Sequence, residues 1–162
     1  MSPQLEIKSV SGVDLPVEFM EFLSASPAVF KSVCLFENSK EDFLLSTIEQ
    51  KAIEITVCET LDDQYWIDYQ MKSALSKGMS LAEILQIRIG LSNKKRIEVL
   101  LAAAKSIVIN YQNINEQMLN VFASEGLSEN ELLEVVSLVN QQKMRIQLTH
   151  YWLIKNSLQT RH

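Results

Sequence analysis

Gly78-Met79-Ser80-Leu81-Ala82-Glu83-Ile84-Leu85 closes the stretch at residues 62–85, DDQYWIDYQMKSALSKGMSLAEIL, and it returns later in the chain as Gly126-Leu127-Ser128-Glu129-Asn130-Glu131-Leu132-Leu133. Each copy has a physical meaning. A glycine ends one helix in the left-handed conformation that costs other residues energy. The apolar residue after it packs as a staple. The serine then caps a new helix, with a glutamate three positions on to complete the S-x-x-E capping box. Two such joints predict two similar helix-turn-helix units, with any site where the units meet.

Outward from these joints the chain reads as helix. Pro16 and Pro27 suit first helical turns, and Ser26 is a cap for the second, which predicts short helices over residues 17–23 and 27–36. Ser46-Thr47-Ile48-Glu49 is a further capping box, opening a helix with Ile48, Ala52, Ile55 and Cys58 along one stripe. Residues 60–63 cap the next helix, which is expected to bury Trp66, Ile67, Met71 and Leu75 before Gly78. Ser92 is expected to cap a helix over residues 93–109, and residues 113–116 to open one that runs to Ser124. The last segment, 129–158, carries Leu132, Leu133, Val136 and Val139 on one face, with a polar interruption at residues 140–143 expected to bend or split it. Residues 1–15 read as an irregular lead-in with a short extended piece at residues 5–10.

With 162 residues, 47% of them hydrophobic and 22% charged, the chain can bury a core without staples. Only 4 Gly and 3 Pro disfavour hairpin-rich β architectures. A net charge of −5 argues against a nucleic-acid partner, and Lys94-Lys95-Arg96 reads as a solvated basic cluster. The most apolar run, residues 97–109, carries Glu98 and Lys105 and is too short for a bilayer. No membrane contact is expected, and without a signal segment after Met1 a cytoplasmic location is. Cys34 and Cys58 form no C-x-x-C. The fold class expected is all-α: a lead-in and short helix over residues 1–25, and a helical domain over 26–158.

Several features together resemble the carboxymuconolactone decarboxylase / alkylhydroperoxidase D-like family. They are the helix over residues 48–60 followed by Tyr65-Trp66-Ile67-Asp68, then Ala74-Leu75-x-x-Gly78-Met79-Ser80-x-x-Glu83-Ile84. Leu100-Leu101-x-x-Ala104-Lys105 follows, and then Gly126-Leu127-Ser128-x-x-Glu131-Leu132-x-Glu134-Val135-Val136. The resemblance implies an all-helical bundle that assembles with itself as a trimer or hexamer. Redox members carry a glutamate one helix ahead of a C-x-x-C, and a histidine one turn after the second cysteine. A thiolate attacks the peroxide, its partner resolves the sulfenic acid, and Glu and His move the proton. Aligned without gaps, this chain has Lys51 at the glutamate, Asp63 and Trp66 at the cysteines and Gln70 at the histidine.

The reading implied is a non-redox descendant of that family, an oligomer or a ligand-binding protein with no cofactor. The alternative is a residual alkylhydroperoxidase using a single displaced thiol, Cys58 or Cys34. Tyr65, Trp66, Tyr69 and Gln70 either line a pocket for a small-molecule ligand or, through Trp66, fill it. Asp62, Asp63 and Asp68 with Glu59 are better read as helix-capping acids than as a metal site. His150 reads as a structural or interface residue.

Overall fold

The computed structural model describes residues 12–110 and 113–159, and among them eight α-helices, one 3-10 turn and no strand. The helices are α1 (Val17–Leu23), α2 (Pro27–Ser39), α3 (Thr47–Thr60), α4 (Gln64–Ser76), α5 (Leu81–Arg88), α6 (Lys95–Ile109), α7 (Glu116–Ser124) and α8 (Glu129–Gln159). The extended piece expected at residues 5–10 lies outside the described residues. No helix among them is long and apolar enough to cross a membrane.

The chain divides into two compact units, Leu44–Leu148 and a smaller one of residues 12–43 with 149–159. Residue 25, where the lead-in was expected to end, lies in the link between α1 and α2. In the smaller unit α1 buries Phe19, Met20 and Leu23, and α2 buries Phe30, Val33 and Cys34. Ser26 Oγ accepts from the Val29 amide and Pro27 occupies the first helical position, as the sequence implies. Phe22 stacks on Trp152 with ring centroids 5.9 Å apart and meets Tyr151 at a tilt.

The larger unit is built around α3, which packs against α4, α5 and α6. Every residue of α3 from Gln50 to Cys58 is buried, so this helix has no solvent face. Ala52 and Ile55 join Ala74, Met79, Ile84, Ile87, Ile97 and Leu101 in one apolar cluster. A helix apolar on every side belongs inside a protein, and Lys51 and Glu54 are therefore carried into the interior with it.

The repeated joints have the same geometry. At the first, the Met79 amide donates to Ala74 O and the Gly78 amide to Leu75 O. At the second, the Leu127 amide donates to Phe122 O and the Gly126 amide to Ala123 O. Both are Schellman motifs, with the glycines at φ +98° and +99° and the staples Met79 and Leu127 buried. Each is followed by a closed capping box: Ser80 with Glu83, and Ser128 with Glu131.

Several local expectations need correction. Residues 140–143 do not interrupt α8, which is continuous, because Gln142 is buried and hydrogen-bonded rather than solvated. The buried face of α8 in this unit is Val135, Leu138, Val139, Gln142, Arg145 and Ile146, while Leu133 is 62% exposed. Leu75 is likewise exposed at the end of α4. The N-cap of α6 is Lys94; Ser92 Oγ accepts from the Lys94 amide instead. Arg96 is not simply solvated, since it bridges Glu49 and Glu131, the glutamates of two capping boxes.

Candidate functional site

Lys51 and Gln70, two of the four positions singled out by the resemblance, meet inside the larger unit. Lys51 Nζ donates to Gln70 Oε1 at 2.6 Å, with Lys51 3% exposed and Gln70 fully buried. Gln70 Nε2 donates onward to Gln142 Oε1 at 3.0 Å and to Glu54 Oε2 at 3.3 Å. Arg145 Nη1 donates to the same Glu54 oxygen at 3.1 Å and to Gln142 Oε1 at 3.3 Å. Glu54 Oε1 stands 3.8 Å from Lys51 Nζ. A lysine, a glutamate and an arginine, all at least 97% buried, thus form one lattice with two glutamines across α3, α4 and α8. Buried charges persist when paired and hydrogen-bonded, and here the glutamines spread the pairing over three helices.

Asp63 is the N-cap of α4, its Oδ1 accepting from the Trp66 amide at 3.0 Å. Trp66 is fully buried between Tyr65 and Tyr69, both edge-on to it, with centroids 5.7 and 5.8 Å away. Neither cavity described below is lined by Tyr65, Trp66, Tyr69 or Gln70. The indole packs where the resemblance puts the second sulfur.

Cys58 is free and fully buried. Burial pushes its thiol well above the ordinary range, and the Glu54 and Asp63 carboxylates push it further; Arg145 and Lys51 only partly oppose them. Such a thiol stays protonated and is a poor nucleophile. Cys34 is also free and buried. Of the acids near α4, Glu59 pairs with Arg88, Asp68 accepts from Gln64, and Asp62 ends α3 in the left-handed region at φ 51°. Among the described residues no group of three or more His, Cys, Asp or Glu is placed to hold a metal. His150 is exposed.

A second feature escaped the sequence reading. A cleft of about 450 Å³ opens between the C-terminal ends of α3 and α5 and the middle of α6. Its lining includes Thr56, Glu59, Arg88, Glu98, Leu101 and Lys105. Thr56 and Thr60 spend their hydroxyl protons on the carbonyls of Ala52 and Thr56. A smaller cavity of about 40 Å³ lies beside Met79 and Ile97.

Fold and site together define an all-helical protein with a buried ionic lattice in its larger unit and a mixed-charge cleft on its surface. No family model, curated protein or solved structure matches the chain.

Proposed function

We propose that the chain is a non-redox descendant of the carboxymuconolactone decarboxylase / alkylhydroperoxidase D-like family, working as a homo-oligomeric binding protein. One observation carries this reading: the 2.6 Å bond from Lys51 to Gln70 occupies the pair of positions at which a thiol peroxidase needs a glutamate and a histidine. Gln70 cannot titrate, and both partners are already engaged in the lattice, so no proton route is left between them. The buried Trp66 and the capping role of Asp63 support the same reading. The residual-peroxidase alternative would fall to Cys58, whose burial and raised thiol speak against it.

The test is peroxide consumption with dithiothreitol as reductant. No turnover above the buffer rate is expected; turnover that Cys58→Ser abolishes would overturn the proposal. Assembly as a trimer or hexamer belongs to the same reading. It is supported by Leu81, Leu85 and Ile89, spaced four residues apart along α5 and its end, which are 52%, 46% and 72% exposed. Light scattering at micromolar concentration should give a multiple of the chain mass, and a monomer there would remove this part of the reading.

A further inference from the structure

The surface cleft brings groups of both charges around one concave space. Glu59, Arg88, Glu98 and Lys105 place two carboxylates and two cations on its lining, beside the exposed apolar residues Ile89 and Ala102. Arg88 donates from Nε to Glu59 and from Nη1 to Met71 Sδ, while its Nη2 has no hydrogen-bond partner among the described residues. Lys105 has no ionic or hydrogen-bonding partner among them either. On the acidic side Glu98 commits Oε1 to the Ser92 amide, leaving Oε2. Both α3 and α5 end at the cleft, at Thr60 and Arg88, so the partial negative ends of two helix dipoles also face it.

A purely anionic ligand would meet two helix C-termini and Glu98 without compensation. A purely cationic one would meet Lys105 and the open arm of Arg88. A ligand carrying both charges on one carbon uses all of them, and an aliphatic tail covers the apolar lining. The volume lies in the range of small-molecule sites. We propose that the cleft binds a free aliphatic α-amino acid as its zwitterion. The ammonium faces Glu98 and the helix ends, the carboxylate faces Lys105 and Arg88, and the side chain lies against Ile89 and Ala102. This site is separate from the buried lattice and stands or falls independently of peroxide turnover.

The experiment is an amide NMR titration of the full ¹⁵N-labelled chain with L-leucine, 4-methylpentanoate and 3-methylbutylamine as separate probes. L-leucine should shift the amides of Thr56, Gly90 and Ala102, and each singly charged analogue should bind about tenfold more weakly or worse. Lys105→Gln and Glu98→Gln should each weaken leucine. Ala102→Trp, at an exposed lining position, should block it with the circular dichroism spectrum retained. The proposal is overturned by no shifts up to about 10 mM leucine. Equal binding of either analogue, or full leucine binding by Ala102→Trp, overturns it as well.

Discussion

Removing the Glu54 carboxylate should do more damage than its size suggests. Glu54 is 1% exposed and accepts from Arg145 at 3.1 Å and from Gln70 at 3.3 Å, with Lys51 Nζ 3.8 Å away. Glu54→Leu keeps the volume nearly constant, so little of its cost is cavity. What it leaves is two buried cations without this counter-charge. Breaking a buried pair on one side costs roughly 3–5 kcal/mol. At about 2–4 °C per kcal/mol for a chain of this size, the melting temperature should fall by roughly 6–20 °C. Urea unfolding followed by Trp66 fluorescence in a Trp152→Phe background reads the larger unit, because Trp66 lies within it and Trp152 outside. The triple variant Lys51→Met, Glu54→Leu, Arg145→Leu removes the charges together. Gln70 and Gln142 keep their mutual bond at 3.0 Å but Gln70 Oε1 loses its Lys51 donor, so part of the loss should return. If Glu54→Leu costs under about 1 kcal/mol, or the triple variant is as damaged as the single, the lattice is not held by charge compensation and the reasoning fails.

Two further outcomes test other parts of the structure. Trp66→Ala should cost roughly 3–5 kcal/mol in a urea titration followed by far-UV circular dichroism, as expected for a large, fully buried side chain; a loss under about 1 kcal/mol would mean the indole is not a filler. Arg96 holds the Glu131 carboxyl below its usual 4.5, aided by Ser128 and opposed by burial. Because the folded value is the lower one, this contact stabilises above about pH 4.5 and is lost as pH falls through the folded value. Glu131→Gln should therefore flatten the fall of the urea midpoint below pH 4.5, and an unchanged slope would remove Glu131 from the acid limb.

The fold was legible wherever chemistry is local. Both Gly-x-Ser-x-x-Glu joints and the Ser46 box form as their residues dictate, since caps and Schellman turns are satisfied within a few residues of chain. Errors came where burial is decided by distant partners. The polar run at residues 140–143 reads as a break because Gln142 shows its acceptor role only beside Gln70, 72 residues earlier. Lys51 and Glu54 did leave a signal. Ile48, Ala52, Ile53, Ile55, Val57 and Cys58 cover every direction around α3, so no polar face was available to them. The cleft left none, because Glu59, Arg88 and Lys105 come from three helices and each is unremarkable alone.

The case for a retired catalyst rests on coherence between substitutions rather than on any one of them. Under the proposed descent, an acid replaced by Lys51 and an imidazole replaced by Gln70 would, separately, each bury an unmet polar group, at a cost of roughly 1–3 kcal/mol or more where charged. Together they satisfy each other, and the remaining donors run to Glu54 and Gln142, with Arg145 closing the lattice from α8. A single Lys51→Glu would set a second carboxylate one turn from Glu54 with Arg145 left to balance both. Lys51→Glu alone should therefore destabilise the larger unit. Under the proposed descent, groups that moved protons would have given way to groups that hold α3, α4 and α8 together.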